Sequence, residues 1–269
     1  MASDFDMEAI LLNLPNGYEI CKKVINKIDN NMNVEIQTNG ELNLIKVLSK
    51  LKDIKIVFDI GANVGNYSRE VLKYIKNLEK IYLFDPVPEN ITICKKNIIN
   101  NAVVFTQAAV SNIDGTTKFF QVNILNSGHS SIYDMNTIGY LTNSQEIICD
   151  AITIDTFCKN NLIEKIDFLK LDIEGHELNA LFGMQSILEN KKIRFIQFEF
   201  GHASRASRTL FLDFINFFKK YDFDIYVIKP EAFEKVIYTP FFENKYDVAN
   251  FLACHSSEFA LINNLSYED

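Results

Sequence analysis

Between residues 54 and 229 the hydrophobic positions fall into two alternating kinds of run. Short continuous apolar stretches at 54–60, 81–84, 103–105, 147–153, 166–171, 193–200 and 224–229 read as buried strands. Between most of them apolar residues recur every three or four positions, the period of a helix with one buried face. This pattern predicts helices after the first strand (Tyr67, Val71, Leu72, Ile75) and over 88–100, 155–162, 177–189 and 207–220. Pro86 and Pro88 suit the entry to the second of these. A polar stretch from Ser111 to about Cys149 interrupts the alternation. Within it Asp114-Gly115 is a hairpin signal, flanked by Ala109-Val110 and Phe119-Phe120. Upstream, Ile10, Leu11 and Leu14, then Ile20, Val24 and Ile28, predict one or two amphipathic helices that end at the polar run Asp29-Asn30-Asn31. Residues 41–51 repeat the helical pattern. The last forty residues predict a strand at 235–239, a short helix near 246–253 and a final strand at 258–263.

Repeated β-α-β signals imply an α/β protein with a Rossmann-like, doubly wound, mostly parallel sheet and helices on both faces. No internal repeat, Pro-rich linker or low-complexity segment divides the chain. We therefore expect a single domain over 51–269 preceded by an N-terminal helical extension over 1–50.

Charge and cysteine usage narrow the class. A net charge of −8, with no element concentrating Lys or Arg, argues against a nucleic-acid partner. The N-terminus, Met1-Ala2-Ser3-Asp4-Phe5-Asp6, is acidic where a secretory signal is basic. No stretch reaches the roughly 18 apolar residues of a membrane span. Cys21, Cys94, Cys149, Cys158 and Cys254 are scattered and odd in number, which points to reduced thiols in the cytoplasm and to no structural zinc.

Three strand ends carry the candidate chemistry. The first is Ile56 to Tyr67, a strand ending in Asp59, a turn through Gly61, Ala62, Asn63 and Gly65, and a helix. Strand, glycine turn and helix in this order hold nucleotide-like ligands in α/β proteins. The spacing is G-x-N-x-G, without the third glycine of a dinucleotide fold or a Walker lysine, which favours S-adenosylmethionine over NAD or ATP. Backbone N–H groups at the turn suit the carboxylate of that molecule, and Asp59 suits its ammonium. Asp85, at the end of the second strand before Pro86, is placed to accept from both ribose hydroxyls or to cap the next helix.

The second strand end is Ile166 to Glu177, where Asp172 and Glu174 should face the cleft and Glu177 should cap a helix. Lys170 and His176 have either a chemical or a packing role. The third is Gln197-Phe198-Glu199-Phe200-Gly201-His202. Glu199 between two phenylalanines suits a desolvated general base, or a structural ion pair with Arg205 or Arg208. His129-Ser130-Ser131 in the polar insertion is a candidate for closing over an acceptor. Asp172, Glu174 and His176 offer oxygen and nitrogen ligands for a divalent ion. They share a face only if the strand runs on past Gly175, so no metal site is expected here.

In these segments the chain resembles FkbM-type methyltransferases, a branch of the class I S-adenosylmethionine-dependent enzymes. The matching pieces run from Phe58 to Tyr67, Phe84 to Pro88, Ala108 to Ser111 with Asp114-Gly115, Ser130-Ser131, Thr153 to Phe157, and Ile166 to Glu177. The resemblance implies a seven-stranded sheet with one antiparallel strand and methyl transfer to a hydroxyl of a sugar, glycan or other small molecule. It places cofactor contacts at Asp59, Gly61, Asn63, Gly65, Asp85 and Ala109-Val110-Ser111, and puts Asp172 and Glu174 on the reaction side. Asp85 stands where the family more often has glutamate. The base is expected to be Glu174 or Glu199, with Asp172 orienting cofactor or acceptor. Two other readings remain open: a nicotinamide or nucleotide-sugar enzyme, and a non-catalytic binding protein of the same fold.

Overall fold

The computed structural model describes residues 11–122, 128–139 and 143–266. Ile10 and the acidic N-terminus lie outside them. The main sheet runs in the order β10-β9-β11-β8-β7-β1-β2-β3. Its members are β1 (Ile56–Ile60), β2 (Lys80–Phe84), β3 (Val103–Thr106), β7 (Ile166–Leu171), β8 (Ile193–Gly201), β9 (Asp224–Ile228), β10 (Phe233–Lys235) and β11 (Val248–Cys254). The six strands β3, β2, β1, β7, β8 and β9 point one way. β11 lies antiparallel between β8 and β9, and β10 adds an antiparallel edge on β9. The mostly parallel, doubly wound architecture is as expected; the described sheet has eight strands where seven were expected, because the short β10 extends it. A second sheet, in the order β4 (Ala109–Val110), β6 (Ser144–Ile152), β5 (Gly115–Val122), carries the polar insertion.

Two apolar layers sandwich the main sheet. Successive side chains of a strand point to opposite faces, so Val57 and Phe168 enter one layer while Phe58 and Leu169 enter the other. The first layer is completed by helices α2 (Glu41–Lys50), α3 (Asn66–Tyr74), α4 (Pro88–Asn97) and α10 (Ser256–Ser266). Leu44, Ile45 and Leu48 of α2 are fully buried there. The second layer holds α5 (Ile154–Asn160), α6 (Glu177–Phe182), α7 (Gln185–Glu189) and α9 (Phe211–Lys220), with the one-turn α8 (Ser204–Ser207) between the last two in the chain. In that layer Phe198 stacks on Phe214 with ring centroids 4.8 Å apart, and Phe211, Phe218 and Phe251 surround it. The amphipathic helix α1 (Gly17–Asp29) ends at Asn30 in a left-handed conformation, as the polar run predicted. Val24, Ile25 and Ile28 on it are exposed. Among the described residues no helix is long and apolar enough to cross a membrane.

Four local expectations fail for identifiable reasons. The segment near 246–253 is strand β11, not a helix. It is buried on both faces, so it lacks the alternation that marks a half-buried strand, and a short apolar run cannot be told from a helix by period alone. The segment 258–263, expected as a strand, belongs to helix α10, whose Ile262 and Phe259 pack on the sheet. The expected helix 177–189 is two helices broken at Gly183, where a Cβ would meet the Ser111 carbonyl oxygen at 2.1 Å. Asp114-Gly115 does not join a hairpin of its two flanks: Ala109-Val110 pairs parallel to β6, and β5 pairs antiparallel to it. Asp114 instead accepts from Thr153 N–H (2.8 Å) and Thr156 Oγ1 (2.7 Å), fastening the start of α5.

Phe214→Ala removes a buried ring from the densest part of the second layer. It should destabilise the protein by about 3–5 kcal/mol, read as a lower urea midpoint with an unchanged slope.

Candidate active site

Near the carboxyl ends of the parallel strands a row of polar residues crosses the sheet below the cleft. In this row Asp59 of β1 lies opposite Lys170 of β7, and Lys170 opposite Gln197 of β8. All three are buried. Lys170 Nζ binds Asp172 Oδ2 at 2.7 Å and sits 4.9 Å from the centre of the Tyr67 ring. Burial alone would lower its pKa, but Asp172, Asp59 and Glu41 outweigh that and raise it, so the ammonium stays charged. Asp59 is wholly buried behind the turn, with Oδ2 accepting from Ser68 Oγ at 2.5 Å and Oδ1 without a partner. Burial raises its pKa first, against the pull of Lys170. Gln197 donates to Glu41 Oε1 and accepts from Tyr67 Oη, tying α2 and α3 to the strand end.

Above this row the chain opens into a cleft of about 470 Å³, a size that suits a cofactor-sized ligand. One side holds Gly61, Asn63, Asp85, Pro86, Val87 and Asn90. Gly61 and Ala62 N–H both donate to the Phe84 carbonyl, which ties the turn to β2. Gly61 has φ +85°, and a Cβ there would meet the Asp172 carbonyl oxygen at 1.8 Å, so only glycine lets the two turns approach. Gly65 has a different reason. It is left-handed at the start of α3, and its missing Cβ leaves room for Ile98 and Cys94 rather than for the cleft. Asn63 turns at φ +48° and its Oδ1 is buried without a partner.

Asp85 braces the turn that leads into α4 and also faces the cleft. Oδ1 accepts from Val87 N–H (2.9 Å) and Asn90 Nδ2 (3.1 Å), and Oδ2 from Asn63 N–H (2.9 Å), while the carboxylate still lines the cleft. Burial pushes its pKa up to about 7 although those three donors pull it down. Behind Gly61 and Pro86 lies a narrow apolar recess walled by Phe84, Ala109, Val110, Phe119, Ile132 and Ile173. Ser111 is not on either wall: it is buried, with its Oγ 3.0 Å from His176 Nε2.

The other side of the cleft holds Asp172, Glu174, Glu199, His129 and His202. The turn after β7 is braced from below by Glu177, whose Oε1 accepts from Ile173 N–H (2.9 Å) and Gly175 N–H (3.2 Å). Glu174 takes a left-handed φ of +53°, uncommon for a side-chain-bearing residue, and Ser131 Oγ donates to its carbonyl at 2.7 Å. The Ser130-Ser131 pair thus docks the insertion on this turn, with Ser130 Oγ accepting from Val122 N–H. Burial raises the Glu174 and Glu199 pKa values well above the ordinary carboxylate range, and Asp172 raises both further. Arg205 pairs with Asp247 at 2.9 Å and so is not the partner of Glu199. His176 is outside the main cleft, on the wall of the recess between Ser111 and Tyr133, and burial lowers its pKa to about 4.

The structure therefore gathers Gly61, Asn63, Asp85, Pro86, Asp172, Glu174 and Glu199 around one cleft. Ala62, Gly65, Asp59 and Ser111 lie behind it. Sequence reasoning missed Asn39, Glu41 and Asn250, which also line the cleft. Glu41 stands at the start of the helical pattern of 41–51, which says nothing of a cleft, and Asn250 sits in the strand that was read as a helix.

The known proteins that this chain is similar to are methyltransferases by name. The family model described as the methyltransferase FkbM domain matches residues 59–225. The hexuronic acid methyltransferase AglP of Haloferax volcanii is 22% identical over 60% of this chain and 64% of its own length. The 2-O-methyltransferase NoeI of Sinorhizobium fredii is 24% identical over 54% of this chain and 63% of its own. The chain thus spans less than two thirds of the curated relatives it matches. A crystal structure of methyltransferase FkbM from Methylobacillus flagellatus superposes with a TM-score of 0.46 at 18% identity, over 75% of this chain and 44% of that one.

The raised pKa of Asp85 makes a measurable prediction. The folded carboxyl keeps its proton up to about pH 7, whereas the unfolded one loses it near 3.8. Its contribution to stability is therefore full below pH 4 and is lost as the pH rises towards 7, by up to about 1.4 kcal/mol per unit. Urea unfolding of Asp85→Asn between pH 4.5 and 7 should show a flatter decline than the wild type.

Proposed function

The chain belongs to the FkbM methyltransferase family, and from that premise we propose that it transfers a methyl group from S-adenosylmethionine to a hydroxyl oxygen of a sugar-like small molecule. The observation that carries the reading is the two-sided cleft at the strand ends, with the glycine turn and Asp85 on one side and a carboxylate cluster on the other. The cofactor fits the residues present. The narrow recess between Phe84, Ala109 and Ile173 suits an adenine edge, and Asp85 has lone pairs for a ribose diol. The unpartnered Asn63 Oδ1 offers a further acceptor. When bound, S-adenosylmethionine supplies a sulfonium-activated methyl group, which leaves as the S–CH₃ electron pair returns to sulfur.

The chain's own work is alignment and proton removal. Asp172, held by Lys170 at 2.7 Å, fixes the wall between the two sides. Glu199 takes the acceptor hydroxyl proton as the oxygen bonds to the methyl carbon, so the products are a methyl ether and the neutral thioether. Good alignment is worth up to about 7–11 kcal/mol, while a positioned base adds about 10²–10⁴-fold. The names of AglP and NoeI support a sugar acceptor. The acidic wall and the net charge of −8 favour a sugar over a nucleic-acid backbone. Five unlinked cysteines, four of them buried, fit a cytoplasmic location.

The test is methyl transfer from labelled S-adenosylmethionine to a panel of mono- and oligosaccharides. Label should enter a sugar ether, and Glu199→Gln should lower kcat by about 10²–10⁴-fold with little change in affinity for S-adenosylhomocysteine. Binding of NAD in place of S-adenosylhomocysteine would overturn the reading.

A further inference from the structure

We propose that His129, Glu174 and His202 bind a divalent first-row transition-metal cation on the acceptor side of the cleft. The three come from distant parts of the chain: the insertion, the turn after β7 and the end of β8. One ligand atom of each lies within 4.8 Å of the others. His129 Nδ1 is 4.0 Å from Glu174 Oε1, and the two imidazole rings stand 6.2 Å apart at 66°. Ligands about 2.1 Å from one metal lie about 3.0–4.2 Å from each other. Ligands that share one side of the metal stand about 3.0–3.4 Å apart, so a contraction of about an ångström closes the set, and the His129 side chain, at the exposed rim, supplies it.

Two of the three ligands are oriented by a second contact. His202 Nδ1 is 2.8 Å from the Asp247 carbonyl oxygen, which only accepts. The proton therefore belongs on Nδ1, and Nε2 keeps its lone pair for the metal. Glu174 Oε2 is buried with no hydrogen-bond partner. The Glu174 backbone is fixed by Ser131 Oγ on its carbonyl and by Gly175, where a Cβ would meet the Ala203 carbonyl oxygen at 2.4 Å. Asp172, Glu177 and Glu199 surround this carboxylate, and the nearby Lys170 is already paired with Asp172. The carboxylate and the two imidazoles together form a two-nitrogen, one-oxygen donor set that a cation would hold in place of protons. Two nitrogens and one carboxylate suit manganese, iron, cobalt, nickel or zinc rather than calcium or magnesium.

The trio that spacing offered but did not favour, Asp172, Glu174 and His176, does not meet, because His176 faces Ser111 and Tyr133. Three protein ligands leave coordination positions open towards the cleft, where neighbouring hydroxyls of a sugar would bind and become more acidic. That role rests on the methyl-transfer reading, whereas metal binding itself does not.

The protein is treated with a chelator, desalted and titrated with cobalt(II), followed by visible absorbance and calorimetry. One equivalent should bind per chain, and His129→Ala, His202→Ala and Glu174→Gln should each weaken binding tenfold or more. His129→Ala changes an exposed residue, so a native thermal transition for that variant keeps the comparison valid. Absence of cobalt uptake, or uptake unchanged in His129→Ala and His202→Ala, overturns the site. S-adenosylhomocysteine is titrated into the same samples. Its binding without cobalt uptake overturns only the metal site; cobalt uptake without its binding overturns only the methyl-donor reading.

Discussion

The ammonium of Lys170 is the charge around which the functional end of this molecule is built. It is buried on the central strand β7, between Asp59 and Gln197 in register, with Asp172 at 2.7 Å and Glu41 close by. Removing one partner from such a group leaves buried charges uncompensated, which costs far more than the pair itself contributes. The lysine thus holds the turn after β1 and the turn after β7 in one geometry. Gly61 is needed for the same reason, because the two turns approach so closely that no Cβ fits between them.

From this centre the cleft divides by strand. The ends of β1 and β2 carry glycine, asparagine and the thrice-bonded Asp85, a polar surface beside the apolar recess. The ends of β7 and β8 carry Asp172, Glu174 and Glu199, a surface that attracts protons and cations. The insertion closes the second half by laying Ser131 and His129 on the Glu174 turn. A parallel sheet places all of these at one edge because every strand delivers its carboxyl end there.

What could be read in advance was local. The strand, glycine turn and helix from Ile56 to Tyr74, and the strand and acidic turn from Ile166 to Glu177, each complete their pattern within some twenty residues. Both were identified, with Asp85 between them. The parts missed depend on contacts between distant residues. Gln197 meets Glu41 across 156 positions. His129, Glu174 and His202 meet only after the insertion folds back on the sheet. The misread β11 follows from burial on both faces, which removes the alternation that separates strand from helix. Gly65 was placed correctly in its turn, but its neighbours are Ile98 and Cys94, and no spacing rule distinguishes such packing from ligand contact.

The most direct test of the central claim is a crystal structure with S-adenosylhomocysteine bound. The account predicts the ribose hydroxyls on the Asp85 carboxylate, the adenine in the recess beside Ala109 and Phe119, and the sulfur facing Asp172 and Glu199. A ligand bound elsewhere, or bound here with its ribose away from Asp85, would contradict it.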